Sequence, residues 1–275
     1  MKSSRIGMLA AGLGAVLVLA GCASGTGEGS GAGAGDESAP VTLQVAAVTS
    51  PMTDVVEAAA EAIEDGYEIE LVEVSDYVTA NTILNDGDVY ANFSQHVPYM
   101  EAFNAGNDGT LRGVQPVYNF VIAFYSKTLS DIADLPTGAT VAIPDDPSNT
   151  GRALKLLATE GIITLDPAVD PYEATVDDII ENPSDVEFLQ VPISSLNTAY
   201  DEADLVFQWP SHIAALGLTP QDDGLITELD DTFALNLVVR AEDEDSEATA
   251  ALKSAFTSDA VREVIGSNAT IEVAF

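Results

Sequence analysis

Between residues 41 and 87 the spacing of apolar positions changes three times. VTLQVAAVT (41–49) reads as a strand, whereas in MTDVVEAAAEAIED (52–65) Val55, Val56, Ala59 and Ile63 recur at helical spacing and share one face. YEIELVEV (67–74) alternates with period two, as a half-buried strand does, and DYVTANTILNDG (76–87) predicts a short helix closed by Gly87. Strand, helix, strand, helix is the beginning of an open α/β sheet. The unit returns in TVAIP (140–144) with GRALKLLATEGIITL (151–165), and in VEFLQVP (186–192) with ISSLNTAYDEA (193–203), ahead of a strand DLVFQW (204–209).

Two segments depart from this rhythm. VYNFVIAFYS (117–126) and FALNLVVRA (233–241) are apolar almost throughout. Such runs fit strands buried in a parallel sheet, and their positions suggest crossings of the chain between two lobes. The expected division is residues 41–118 with 236–275 in lobe 1 and 119–235 in lobe 2. Residues 246–265 read as one amphipathic helix. No internal repeat is found.

The first forty residues follow neither period. Lys2 and Arg5 precede the apolar IGMLAAGLGAVLVLA (6–20), and LAGC ends at Cys22, the only cysteine of the chain. A basic start, a short apolar core and small residues at the cut make residues 1–21 a secretory signal peptide; the core is too short and too rich in Gly and Ala for a membrane span. A lone thiol after Leu-Ala-Gly resembles the bacterial lipobox, in which the cysteine carries the lipid, with an uncleaved N-terminal anchor as the alternative. GTGEGSGAGAGDESAP (25–40) has nothing to bury, so residues 22–40 are expected to hold the lipidated Cys22 and a flexible tether. The expected location is the extracytoplasmic face of the cell membrane, reached through the lipid alone.

Charge narrows the partners. The chain has 45 Asp and Glu against 9 Lys and Arg, a formal −36. Residues 1–21 contain two of the cations and no acid, so the remainder carries −38. Such a field repels nucleic acid and anionic head groups, and no nucleic-acid partner is expected. Each cation therefore asks for a partner. Arg152, in IPDDPSNTGRALKLL (143–157), stands near the start of a predicted helix, where the dipole disfavours a cation. An anion meeting the guanidinium and free first-turn N–H groups resolves the misfit. The alternatives are an ion pair with Asp145 or Asp146, or a solvated surface arginine.

Catalytic signatures are missing from the sequence. The two histidines, His96 and His212, are far apart, no EF-hand loop occurs, and there is no G-x-S-x-G elbow, phosphate loop or dinucleotide fingerprint. Neither a metal nor another cofactor is expected, and an enzyme is the poorer reading. What stands out is YANFSQHVPYMEAFNAG (90–106), where aromatics, amides and His96 crowd a strand-to-helix junction, as suits a concave site with apolar walls and a few polar contacts.

The runs SDYVTANTIL, ANFSQHVPYM and YSKTLSDIADLPTGATVAIPDDPSNTGRAL follow in order and spacing the pattern of the NlpA family of lipoproteins. The chain resembles that family over about residues 41–270. The resemblance implies a two-lobed periplasmic binding protein fold, α/β in class, which encloses a small, methionine-like amino acid between its lobes and delivers it to the permease and ATPase of an ABC importer. It further implies that Arg152 holds the ligand carboxylate, that Asn236 meets the ligand backbone, and that Phe93, His96 and Tyr99 belong to the side-chain pocket. The chain departs from the family pattern in three places, one of them the N-terminal turn, rich in Gly and Pro in the family and here VTSPMTD (48–54). Phe93-Ser94 stands where an aromatic pair is usual, and VFQWPSHIA places Trp209 at an asparagine position and His212 at a tyrosine position, which makes Trp209 a further ligand-site candidate. A receptor for a dipeptide or other amino-acid derivative, a surface interaction lipoprotein that has lost transport, and a secreted hydrolase are the rival readings.

Overall fold

The computed structural model describes residues 39–275; the readings made for residues 1–38, Cys22 among them, lie outside the described residues. The first half of the chain forms β1 (Val41–Ala47), α1 (Met52–Ala62), β2 (Tyr67–Glu73), α2 (Tyr77–Asn85), β3 (Ala91–His96), α3 (Val97–Asn107), β4 (Leu111–Phe120) and β5 (Ile122–Tyr125). Next come β6 (Thr140–Pro144), α4 (Pro147–Thr159), β7 (Thr164–Leu165), β8 (Ile179–Glu181), β9 (Glu187–Val191), α5 (Leu196–Ala199), β10 (Leu205–Gln208), α6 (Pro210–Ile213), α7 (Pro220–Asp223) and β11 (Ile226–Glu228). β12 (Leu235–Arg240), α8 (Glu247–Phe256), α9 (Asp259–Gly266) and β13 (Ile271–Val273) complete the chain.

These strands make two main sheets. The six-stranded sheet has the order β13-β4-β12-β3-β1-β2 and the five-stranded sheet the order β11-β5-β10-β6-β9, while β7 and β8 pair separately. β1 runs parallel to β2 and β3, and β6 parallel to β9 and β10. The two continuous apolar runs are not parallel strands as expected: β12 is antiparallel to β3 and β4, and β5 is antiparallel to β10 and β11. Full burial on both faces produces the same sequence pattern in either direction, so apolar content does not reveal strand polarity.

The run 117–126 is in fact two strands of different sheets, separated by Val121 alone. The return passage leaves β11, turns at Asp231–Phe233 and enters β12. A hydrogen bond of 2.7 Å from Asn119 Nδ2 to Asp231 Oδ1 ties the two passages side by side. Val55, Val56 and Ala59 of α1 are buried as expected. Three helical expectations are corrected. Residues 193–203 hold only a 3₁₀ turn and α5, and residues 246–265 break into α8 and α9, because the Ser258 hydroxyl caps a new helix. α4 begins at Pro147, with Asp146 as its cap, so Arg152 stands in the second turn and not at the helix start.

Phe93, expected in the ligand pocket, is fully buried in the core, edge-on to Tyr118 at 5.5 Å and Phe256 at 5.2 Å. Truncation there removes one of the largest side chains of the core and leaves a cavity. Phe93→Ala should destabilise the protein by about 3–5 kcal/mol, read from a lowered urea midpoint with an unchanged slope.

Candidate ligand-binding cleft

Two adjoining spaces open between the sheets. The inner one, about 30 Å³ in volume, is walled by Met52, Phe120, Ile193, Trp209 and Leu235, with Tyr77, Ser94, Gln95, His96, Tyr99 and Asn149 adding polar atoms. Tyr77, Tyr99, Ile193 and His212 line an outer vestibule, which Asp76, Asp145 and Asp146 make acidic. Apolar walls with few polar groups are what an enclosed small-molecule site requires.

A directed chain of hydrogen bonds crosses the inner space. The backbone N–H of Tyr99 donates to His96 Nδ1 at 3.2 Å, so His96 caps α3 through its own ring. The neutral ring then carries its proton on Nε2. Nε2 donates to Asn149 Oδ1 at 3.0 Å, and Asn149 Nδ2 donates to both oxygens of Asp146, each at 3.0 Å. Asp146 also accepts the backbone N–H of Asn149 and thereby caps α4. Burial, reinforced by the nearby Arg152 charge, lowers the His96 pKa to about 3, although its hydrogen bond to Asn149 works the other way. Burial raises the pKa of Asp146 against the opposing effect of its hydrogen bonds from Asn149 and Ser148.

Arg152 is 2% exposed and makes a forked pair with Glu228: Nε lies 3.1 and 3.3 Å from the two carboxylate oxygens and Nη2 3.2 Å from Oε1. Its guanidinium lies over the Phe233 ring, 4.1 Å from the centroid. Neither Asp145 nor Asp146 is its partner, since Asp146 is committed to capping α4. The Nη1 group makes no hydrogen bond among the described residues.

The other candidates divide. His96, Tyr99 and Trp209 line the inner space together, whereas Arg152 and Phe93 do not line it. Asn236 is also absent from the wall: it is 7% exposed and its Nδ2 donates to the Ala234 carbonyl at 2.9 Å. Trp209 packs edge-on against Phe207 at 5.3 Å while presenting part of its surface to the cleft. On the vestibule side, Tyr77 Oη and His212 Nε2 meet at 2.6 Å across the cleft. Burial lowers the His212 pKa and raises that of the Tyr77 phenol. The sequence reading missed Asn149, Tyr77 and Ser94. Asp-Pro-Ser-Asn, a helix-cap signal with Asn at the third helical position, could have flagged the first; the signal for Ser94 was its place in the departure from the family's aromatic pair.

Two α/β lobes, joined by paired crossings with the cleft between them, define a periplasmic solute-binding protein of the two-lobed class. The NlpA lipoprotein family model matches residues 43–273, and the chain belongs to that family. It is 36% identical over 264 residues to the probable D-methionine-binding lipoprotein MetQ of Pasteurella multocida, covering 95% of this chain and 94% of that protein. Among solved structures, a nutrient-binding protein from Burkholderia cenocepacia bound to methionine is similar with a TM-score of 0.80 and 30% identity, over 85% of this chain and 100% of that one. A periplasmic substrate-binding protein of an ABC transporter from Coxiella burnetii gives a TM-score of 0.79 at 29% identity, over 84% and 100%. Among the described residues no helix is long and apolar enough to cross a membrane.

Removing one partner of a buried ion pair strands the other charge. Glu228→Ala strands the buried guanidinium and should destabilise by about 3–5 kcal/mol, Arg152→Ala leaves the partly exposed Glu228 and should destabilise by less, and the double variant by clearly less than their sum; urea unfolding of the three variants measures the coupling. A second expectation concerns pH. An unfolded histidine takes up a proton near pH 6.5 whereas folded His96 resists until about pH 3. The unfolded state therefore binds more protons between these values, and His96 makes stability fall as pH drops through that window, with no effect above it. The slope is at most about 1.4 kcal/mol per pH unit. His96→Asn, which keeps a cap acceptor, should flatten the wild-type curve between pH 6.5 and 4 in denaturation measured at several pH values.

Proposed function

We propose that this chain is a lipid-anchored extracytoplasmic receptor that encloses a small, methionine-like amino acid between its lobes and delivers it to the permease and ATPase of an ABC importer. The observation that carries the reading is the inner space itself: a space with apolar walls, along which a fixed hydrogen-bond chain runs through Tyr99, His96 and Asn149. In this reading the Nη1 edge of Arg152 meets the ligand carboxylate while Glu228 holds the other edge, and Trp209 packs on the ligand. Asn236 sits on the strand beside β3 and approaches the ligand backbone when the lobes close. Binding energy favours the closed form, which shifts the open–closed equilibrium without covalent chemistry. Cys22 supplies the lipid attachment, and the relatives' names as lipoproteins support that placement.

The vestibule favours a second reading. An amino-acid derivative or dipeptide would place its first residue in the inner space and its remaining atoms among Asp76, Asp145 and Ser194.

Trp209 is the only tryptophan of the chain, so its emission reports on the cleft without a label. L-Methionine, other free amino acids and short dipeptides should be titrated against the full-length protein. A cognate ligand should change Trp209 emission and, at a hundredfold excess over Kd, add about 2.7 kcal/mol of stability. If no member of the panel moves either signal, and native mass spectrometry of fresh protein shows no retained small molecule, the receptor reading is wrong.

A further inference from the structure

The inner wall contains one fully buried side-chain polar atom with nothing to bind. Ser94 Oγ is buried and has no hydrogen-bond partner among the described residues, on a residue only 3% exposed. The other buried polar side chains of the wall are committed. Gln95 exchanges hydrogen bonds with Asn81 and donates to Asn92, His96 uses both ring nitrogens, and Asn149 is held between His96 and Asp146. An unpaired buried hydroxyl is costly, and folding alone gives no reason to keep it there.

The backbone also singles this residue out. Leu237 of β12 faces Phe93 and Asn236 faces Gln95, so Ser94 is skipped in the pairing and forms a bulge in β3. A bulge re-aims the side chain it carries, and Ser94 lines the inner space together with Met52, Leu235 and Trp209.

We propose that Ser94 Oγ is a specificity determinant that donates a hydrogen bond to an acceptor on the ligand's side chain. The site therefore favours an uncharged side chain with a terminal or near-terminal acceptor, such as a sulfoxide, an amide or a thioether, over a hydrocarbon of the same length. A charged side chain is disfavoured because the wall offers it no counter-charge. Ser94 donates its proton and receives none, and no bond is made or broken. The inference rests on the receptor reading above and adds the chemistry of the ligand's distal end.

The test compares L-norleucine, L-methionine and L-methionine sulfoxide as probes, titrated into full-length wild type, Ser94→Ala and Ser94→Cys while Trp209 emission and heat release are followed. In wild type the better of the two acceptor-bearing probes should bind roughly tenfold or more tightly than norleucine, about the worth of one hydrogen bond in a dry site. In Ser94→Ala that ratio should collapse towards one, with norleucine binding more tightly than before because no hydroxyl is left unpaired. Ser94→Cys, with a weaker donor of similar size, should give an intermediate ratio. Melting temperatures at or above wild type for Ser94→Ala confirm that it folds, and if it does not, Ser94→Cys alone decides by the same ratio. A ratio that is equal in wild type and variant overturns the role of Ser94 and leaves the receptor reading standing. If none of the three probes binds wild type, the role of Ser94 is overturned, while the receptor reading is decided separately by the wider panel and native mass spectrometry.

Discussion

The hydrogen bond from His96 Nε2 to Asn149 Oδ1 is the point on which the cleft depends. Each of its ends is anchored in a helix cap: His96 caps α3 with Nδ1, and Asn149 is held by Asp146, the cap of α4. The two helix N-termini are thereby brought towards each other from different lobes. Their dipoles place partial positive charge at the cleft floor, offset at α4 by the Asp146 cap, while the Arg152 charge in the second turn of α4 is balanced by Glu228. The same geometry keeps His96 neutral, because a second proton would have to enter a buried ring beside an arginine.

Arg152 also fixes the return crossing. Its partner Glu228 ends β11, and the Phe233 ring that covers its guanidinium lies just before β12. Phe233 meets His96 edge-on at 4.9 Å and Tyr172 at 5.3 Å, so one ring touches the cation, the cleft and lobe 2. One turn further along α4, Lys155 pairs with Asp230 at 3.0 Å. Burial works to raise the Asp230 pKa, but hydrogen bonds from Tyr172, Thr232 and Lys155 outweigh it and hold the carboxylate well below its usual range. Two cations of a cation-poor chain are thus committed to one short segment. A buried pair costs desolvation that a hydrophobic pair would not, so its use here points to positioning the crossing more than to stability.

Much of the fold was legible because most elements announce themselves locally. The opening strand-helix-strand-helix series showed its periods plainly, and the α1 face was read residue by residue. The failures have physical causes. The passage between sheets at Val121 lies inside an uninterrupted apolar run, because both flanking strands are buried, so no polar residue marks the change of lobe. The helix break at Ser258 is a single hydroxyl cap within an amphipathic pattern. An ion pair of Arg152 with Asp145 or Asp146 stood as the alternative to an anionic ligand, yet Asp146 is spent on the helix cap and the pair is made with Glu228, which only the tertiary fold brings near. His96, Tyr99 and Trp209 were found from composition and family pattern and do share a wall, whereas Ser94 is aimed by a bulge that no side-chain period encodes.

Ser94 and His96 invite comparison with a nucleophile and its base, since they lie two residues apart on one strand and line one space. The hydrogen bonds argue otherwise. A serine becomes nucleophilic when a base within hydrogen-bond reach can take its proton. Both nitrogens of His96 are engaged elsewhere, and Ser94 Oγ has no partner. A ring whose pKa is lowered to about 3 is also a poor proton acceptor near neutral pH. What the arrangement offers is a fixed set of dipoles and one open donor. These groups can hold and discriminate a small molecule, and the closing of two lobes around it can be powered by the same contacts.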